Sequence, residues 1–131
     1  MAQVIAQQLI QTLAPTEFLI KVNSAGVAAG DGFNASQEAV IVMNQRGIDL
    51  SGHQSKMLTI ELVEWADVIF AMTPSHAQAV LRGAPHAKNK VFPVDAMHPV
   101  LDPIGGPVEV YREVADQLER LIRARLEEII S

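Results

Sequence analysis

Apolar side chains recur every three or four positions near both ends of the chain. Close to the start they alternate with glutamines on the opposite side, which predicts a helix that ends before Pro15. No Ser, Thr, Asp or Asn precedes this helix as a cap, and the α-amino group of Met1 adds positive charge at the positive end of its dipole. The same spacing predicts a long final helix over Val108 to Ile130.

Three other segments have the composition of strands. Phe18 to Val22 predicts the first of them. Val68 to Met72 is a continuous apolar run, which is typical of a strand buried on both faces of a parallel sheet. Val91 to Val94 predicts a short strand at an edge, because Pro93 cannot donate a ladder hydrogen bond.

Helices are predicted between these strands, each from a cap residue at its start and a stop signal at its end. They run from a capping box of Asn34 and Gln37 to Gly47, from Thr59 to Ala66, and from Thr73-Pro74 to near Gly83. A loop rich in Pro and Gly follows the last strand, over Met97 to Pro107. The alternation of helices and strands predicts an α/β sandwich around a parallel sheet, in a single domain over residues 1–131.

Composition narrows the classes of function. Apolar residues make up 49% of the 131 residues and charged residues 19%, which excludes a disordered tail. Fifteen acidic and ten basic residues leave a net charge of −5, so a uniform basic surface for nucleic acid or an anionic membrane is absent. The chain contains no cysteine, which excludes disulfides, a thiolate nucleophile and Cys-ligated metal within these residues.

The first residues do not have the pattern of a targeting segment. Met1 to Thr16 carry no charged side chain, yet four glutamines interrupt the apolar run and no positive region precedes it. This pattern predicts neither a signal peptide nor a membrane span. We therefore expect a soluble, cytoplasmic protein.

Candidate chemistry lies beyond the carboxyl ends of the predicted strands, where open α/β sheets bind ligands. Ser24, Thr73 and Asp95 follow these ends, and Asp102-Pro103 lies in the loop after the last strand. Each has a simpler interpretation: an Asp before Pro is a common turn former, and Ser24 or His53 could serve local backbone hydrogen bonds. The glycines lack GxGxxG spacing and the four histidines lack the spacing of a zinc site. The residues alone leave these alternatives open.

Four ordered stretches together resemble the low-molecular-weight protein tyrosine phosphatase family, particularly bacterial members, some of which act on phosphoarginine. The stretches are Val22-Asn23-Ser24-Ala25-Gly26, Arg46-Gly47-Ile48-Asp49-Leu50-Ser51-Gly52-His53-Gln54-Ser55, Ala66-Asp67-Val68-Ile69-Phe70-Ala71-Met72-Thr73, and Val100-Leu101-Asp102-Pro103-Ile104-Gly105-Gly106 with Tyr111 downstream. The similarity extends over essentially the whole chain. It implies a three-layer α/β sandwich with a parallel sheet.

The resemblance also implies a mechanism and the residues that serve it. The family uses a CxxxxxRS phosphate loop, whose cysteine thiolate attacks phosphorus, and needs neither metal nor other cofactor. Asp102 corresponds to the general acid/base, Ser24 and His53 to residues that support the phosphate loop, and Ile104 to the pocket wall. Many tyrosine-directed members carry an aromatic residue at the position of Ile104. The substrate class, phosphotyrosine or phosphoarginine, stays open, and the implied partner is a phosphorylated protein.

The sequence contains no CxxxxxRS motif, and Met1-Ala2-Gln3 resembles the residues that follow this loop. We therefore expect a shortened member without the first, central strand, inactive as it stands and able to self-associate through exposed sheet edges. A natural pseudophosphatase that acts as a binding or regulatory module is the alternative. A related arsenate reductase would require several cysteines, and the chain has none.

Overall fold

The computed structural model describes residues 1–13, 20–26 and 31–130. Within these residues the helices and strands follow the order α1, α2, α3, β1, α4, β2 and α5, with a 3-10 helix at Pro85–Lys90. Their bounds are α1 Ala2–Leu13, α2 Gln37–Gln45, α3 Ile60–Trp65, β1 Ile69–Ala71, α4 Pro74–Gly83, β2 Val91–Pro93 and α5 Val108–Ile130. The predicted first and last helices are confirmed.

Helix α1 begins without a side-chain cap, as predicted. Burial lowers the pKa of the Met1 α-amino group below its ordinary value, because the charged form loses hydration. This reduces the positive charge that would oppose the helix dipole. Ile5, Ala6 and Leu9 are the buried residues of the helix, on the face that the apolar spacing predicts.

The start of α2 differs from the prediction. Ser36, rather than Asn34, is the N-cap: its hydroxyl accepts the N–H of Ala39 at 3.3 Å. Asn34 is instead held in an antiparallel bridge with Gln54, two residues before the cap. The predicted stop is confirmed, since Gly47 adopts a φ of +75° just beyond the helix.

The caps of α3 and α4 are confirmed. The hydroxyl of Thr59 accepts the N–H of Leu62 at 3.2 Å, and that of Thr73 accepts the N–H of His76 at 3.2 Å. Pro74 occupies the first turn of α4, where its missing N–H costs nothing. These short-range hydrogen bonds satisfy backbone donors that a helix start leaves without partners.

The 3-10 helix is a feature that the sequence pattern did not predict. It ends at Lys90, whose ammonium group donates to the carbonyl oxygens of Val63 at 2.6 Å and Ala66 at 2.8 Å. A cation at these carbonyl groups satisfies the C-terminal end of α3 and complements its dipole. The 3-10 helix therefore places the Lys90 ammonium group at the carbonyl groups that end α3.

The sheet is parallel, as predicted. Strands β1 and β2 pair in the register Ile69 with Val91, Phe70 with Phe92 and Ala71 with Pro93. These two strands form the whole sheet within the residues that the structure describes, and the architecture is α/β with a small parallel sheet.

The prediction of a strand over Phe18 to Val22 is not confirmed. Phe18 and Leu19 lie outside the described residues, and Ile20 to Val22 are not in a strand. A strand exists only where a neighbour completes its ladder, so its β propensity alone does not create one.

Two compact units divide the chain, and the expectation of a single domain stays a prediction. The first unit comprises Met1–Ser24, Asn34–Gln54 and Asp102–Ser131, and the second comprises Ala25–Phe33 and Ser55–Leu101. In the first unit α1 and α2 both pack on α5. In the second, a small core of Val63, Val80, Ala84 and Ala87 is covered by partly buried aliphatic side chains.

Helix α5 organises the first unit. Its buried face consists of Tyr111, Ala115, Leu118, Ile122 and Leu126, at the spacing of an amphipathic helix. Most of its exposed positions carry charged side chains, although Ile129 is also exposed. No helix in the described ranges is long and apolar enough to cross a membrane.

Polar contacts add to the packing of α2 on α5. Arg46, the C-cap residue of α2, pairs with Asp116 and Glu119 of α5. Arg112 donates to the side-chain oxygen of Gln45 at 3.1 Å. The C-terminal end of α2 is thus tied to α5, and the loop that follows α2 starts from a defined position.

Candidate active site

The loop that carries Asp102 is a turn with internal hydrogen bonds. Asp102 Oδ1 accepts the N–H of Ile104 at 3.0 Å, which is the geometry of an Asx turn. The N–H of Gly106 donates to the carbonyl oxygen of Pro103 at 2.8 Å, and Gly105 between them has a φ of +82°. A positive φ at the third position is typical of a type II turn and favours glycine. The Asp102 side chain itself is exposed.

The start of α5 anchors this turn to the core. The carbonyl oxygen of Pro107 accepts the N–H groups of Val110 at 3.1 Å and Tyr111 at 3.3 Å. Tyr111 is buried with only 5% of its surface exposed. The exposed Asp102 carboxylate thus lies nine positions before the buried Tyr111, on a loop with a defined backbone.

Ser24 has a partner that the sequence did not indicate. Its hydroxyl donates to Oε1 of Gln3 at 2.8 Å, and the contact is partly buried. Gln3 lies in the first turn of α1, 21 positions before Ser24. No sequence pattern links the two residues, because α1 contains several glutamines and nothing in the sequence distinguishes the one that makes a distant contact.

His53 lies half-buried in a loop held by its neighbours. Its N–H donates to the carbonyl oxygen of Leu50 at 3.1 Å, and the Leu50 side chain is fully buried. Nearby, Asp49 Oδ1 accepts from the hydroxyl of Ser51 at 2.6 Å and from its N–H at 2.9 Å. The Ser51 hydroxyl, and then its N–H, hold the pKa of Asp49 below its ordinary value.

The four predicted site residues belong to the same compact unit. Ser24, His53, Asp102 and Ile104 all lie in the first unit. The Ile104 side chain is 77% exposed, so it is free of the apolar core and open to a ligand. The role of each residue stays a prediction at this point.

The other strand-end candidates lie in the second unit and have local roles. Thr73 caps α4, and its hydroxyl is 3.0 Å from that of Ser75. Asp95 Oδ1 accepts the N–H of Met97 at 2.9 Å. The described residues contain no group of three His, Cys, Asp or Glu side chains that could hold a metal ion.

Comparison with known proteins identifies the family. The family described as low molecular weight phosphotyrosine protein phosphatase matches residues 1–130. The chain belongs to this phosphatase family. The resemblance stated from the sequence motifs is thereby confirmed, and with it the assignment to phosphoprotein phosphatases at the level of the family.

Relatives of this chain carry names from both substrate classes. A protein-arginine-phosphatase of Bacillus subtilis is 38% identical over 124 residues, which cover 90% of this chain and 82% of that protein. A solved low molecular weight protein tyrosine phosphatase from T. tengcongensis is 35% identical, with a TM-score of 0.88, and the match covers 97% of this chain and 88% of that chain.

A further solved structure bears on the chemistry of the family. It is a Cys-to-Ser mutant of the YwlE arginine phosphatase with a phosphorylated active-site serine, 31% identical, with a TM-score of 0.90 and coverage of 98% of this chain and 85% of that chain. In that protein the active-site position holds the phosphoryl group. The 131 residues of the present chain include no cysteine at all.

Proposed function

We propose that this chain carries the general acid/base of a cysteine-dependent phosphoprotein phosphatase and that Asp102 is that residue. The observation that carries the proposal is the Asx turn: Asp102 is exposed, yet its carboxylate is oriented by the Ile104 N–H at 3.0 Å. A general acid must present its proton in a defined direction while reaching a ligand from solvent. An exposed carboxylate on an ordered turn meets both requirements.

In the first step a cysteine thiolate, which must come from outside these residues, attacks the phosphorus of the phosphorylated side chain. The bond from phosphorus to the leaving oxygen or nitrogen breaks, and its electron pair stays on the leaving atom. Asp102, protonated at this stage, gives its proton to that atom and becomes a carboxylate. The product is a phosphocysteine and a free protein side chain.

In the second step Asp102 acts in the opposite sense. Its carboxylate takes a proton from water as the water oxygen attacks phosphorus, and the phosphorus–sulfur bond breaks. Inorganic phosphate leaves, the thiolate is restored, and Asp102 is again protonated. One carboxyl group thus serves both half-reactions, as the reversed direction of proton transfer requires.

Ser24 and His53 are proposed to support the phosphate loop by hydrogen bonds. Their place in the same compact unit as Asp102 supports this role. Ser24 is oriented through Gln3 at 2.8 Å, and the fully buried Leu50 anchors the His53 loop. Side chains fixed in this way can orient backbone N–H groups toward the equatorial oxygens of a phosphoryl group.

The 131-residue chain by itself is proposed to have no turnover. It contains no cysteine, and the hydroxyl groups it does contain are poor nucleophiles at neutral pH without an activating base. Pure protein assayed on phosphoarginine and on an aryl phosphate should therefore release no phosphate above background. Turnover at about 1 s⁻¹ or more, a rate typical of an enzyme, would contradict the proposal.

A non-catalytic binding or regulatory module is the second candidate, and the absence of cysteine favours it. Such a module needs a surface but no acid/base, so Asp102→Asn would leave its affinity for a protein partner unchanged. In a phosphatase that uses Asp102 as its general acid/base, the same substitution would instead lower the rate of dephosphorylation.

Adding the missing chemical groups tests the first candidate directly. A strand followed by a CxxxxxRS loop of the family pattern would be joined ahead of Met1, and the chimera assayed on an aryl phosphate with a poor leaving group. Asp102→Asn in this chimera should lower kcat by roughly 10²–10⁴, the usual contribution of general acid–base catalysis. Asp67→Asn, an equal change at an exposed position of the second unit, is the matched control and should leave kcat unchanged. An Asp102→Asn chimera with the kcat of the parent would refute the assignment.

Phosphoarginine is the substrate class that we propose. Ile104 has no ring to stack on phosphotyrosine, and a relative with 38% identity is named a protein-arginine-phosphatase. Ile104→Tyr in the chimera should raise kcat/KM for an aryl phosphate over phosphoarginine by roughly 2- to 10-fold, the value of an aromatic pair. Ile129→Tyr, an equal change at another exposed position, should leave the ratio unchanged. An unchanged ratio in Ile104→Tyr would contradict the role of Ile104 as a wall of the substrate pocket.

A further inference from the structure

The two carboxylate oxygens of Asp102 have different surroundings. Oδ1 accepts the N–H of Ile104 at 3.0 Å. Among the residues that the structure describes, none donates a hydrogen bond to Oδ2. A carboxyl group whose one oxygen already accepts a backbone N–H protonates preferentially at the other oxygen, because protonation there leaves the existing hydrogen bond intact.

The turn that follows explains how this orientation is maintained. The Ile104 N–H belongs to the same planar peptide group as the Pro103 carbonyl oxygen, and that oxygen accepts the Gly106 N–H at 2.8 Å. Gly105 supplies the positive φ of +82° that the turn requires. The hydrogen bond that closes the turn thus holds the same peptide group that donates to the Asp102 carboxylate.

Gly106 is the position where a side chain would interfere. A Cβ built there would lie 3.0 Å from the carbonyl oxygen of Pro103 and 3.4 Å from the Cβ of Val110. The first of these atoms is the acceptor of the Gly106 N–H itself, and the second belongs to α5. A methyl group at Gly106 would thus crowd the Pro103 carbonyl oxygen that closes the turn. The Val110 side chain of α5 on its other side would limit how far the methyl group could shift.

We propose that Gly106 is a positioning residue for Asp102: by closing the turn it keeps Oδ1 on the Ile104 N–H and leaves Oδ2 to carry the transferred proton. The inference rests on the proposed role of Asp102 as general acid/base. It adds the identity of the reacting oxygen and a residue, Gly106, that acts only through the turn.

NMR of the 131-residue chain tests this without any catalytic activity. In the unchanged chain the Ile104 amide proton should shift together with the Asp102 carboxyl carbon when the pH is changed, because a charged acceptor makes the stronger hydrogen bond. The temperature coefficient of that amide should stay small when the carboxyl group is protonated, since Oδ1 still accepts when Oδ2 carries the proton. A large coefficient at low pH would place the proton on Oδ1 and overturn the inference.

Variants separate the turn from general stability. Gly106→Ala should abolish the titration of the Ile104 amide while the Asp102 carboxyl carbon still titrates and the thermal midpoint stays close to that of the parent. Gly83→Ala, where a Cβ meets nothing within 4 Å and φ is not positive, is the matched control and should retain the titration. A Gly106→Ala chain with the full Ile104 titration would overturn the role of Gly106.

A second variant keeps the test decisive if Gly106→Ala fails to fold. Asp102→Asn removes the titrating group with little change of shape, and the Ile104 amide should then show no titration between pH 2 and 6, a range that brackets the usual Asp pKa of about 3.9. A persisting titration would show that Ile104 reports another group and would overturn the inference. These results concern only the turn, whereas the kcat of the Asp102→Asn chimera tests the proposed function, so the two can fail separately.

Discussion

Short-range hydrogen bonds orient two carboxylates of the first unit. Asp102 and Asp49 are both exposed, and each accepts the backbone N–H of the residue two positions further on. At Asp49 the Ser51 hydroxyl is a second donor, and it is the larger cause of the lowered pKa. In both cases an aspartate side chain accepts a hydrogen bond from the backbone N–H two positions further on and so stabilises a turn.

The pH dependence of Asp49 follows from these donors. Its pKa is lowered in the folded chain, so its contribution to stability is present above the unfolded pKa and is lost as the pH falls through the folded pKa. Ser51→Ala removes the hydroxyl donor and should raise the Asp49 pKa toward its ordinary value, as measured by NMR titration of the carboxyl carbon. Ser75→Ala, an equal change in the second unit, should leave the Asp49 pKa unaltered. A Ser51→Ala chain with an unchanged Asp49 pKa would contradict the assignment of the cause.

Caps and stop residues set the limits of the helices. Thr59 and Thr73 were predicted as caps and act as such. The start of α2 is different, because both Asn34 and Ser36 are suitable residues and only one can be the cap. The bridge of Asn34 with Gln54 engages that segment in a loop pairing and leaves Ser36 to begin the helix.

This assignment predicts unequal effects of two substitutions at one position. Ser36→Ala should lower the free energy of unfolding by about 0.5–2 kcal/mol, because the N–H of Ala39 loses its acceptor. Ser36→Asp should retain most of the stability, since its carboxylate accepts the same bond and suits the helix dipole. Urea unfolding of the two variants measures the difference. Equal losses in both would indicate that the hydroxyl does not act as the cap.

At the scale of the whole molecule, α5 is the element on which the first unit depends. Helices α1 and α2 pack on it, and the Asp102 turn leads directly into its first residues. The position of the candidate acid therefore depends on the core beneath α5. Self-association through sheet edges, the single-domain assignment and the cellular location stay predictions.

Packing in the first unit can be tested with a matched pair of methionines. Met43 is fully buried, whereas Met97 is 80% exposed. Met43→Ala should lower the free energy of unfolding by about 2–5 kcal/mol, through lost burial and the cavity left behind. Met97→Ala should change it by less than about 0.5 kcal/mol, as is usual for surface positions. Denaturant unfolding gives both values, and a small effect at Met43 would contradict the core described for this unit.

The sequence by itself determined the features that depend on neighbours within a few residues. Helices α1 and α5 follow from apolar spacing, the caps of α3 and α4 from single threonines, and the stop of α2 from Gly47. The family motifs, read in order, also identified the phosphatase family that comparison confirmed. Such features are predictable because each rests on backbone geometry and on side chains one to four positions away.

Only the tertiary structure decided the contacts between distant segments. The Ser24 hydroxyl meets Gln3 across 21 positions, and Arg46 meets α5 across about 70. The same holds for Lys90 at the end of α3 and for the choice of Ser36 over Asn34. A local pattern cannot specify these partners, because each pairing is chosen by how the helices and loops pack and by which polar groups that packing leaves to be satisfied.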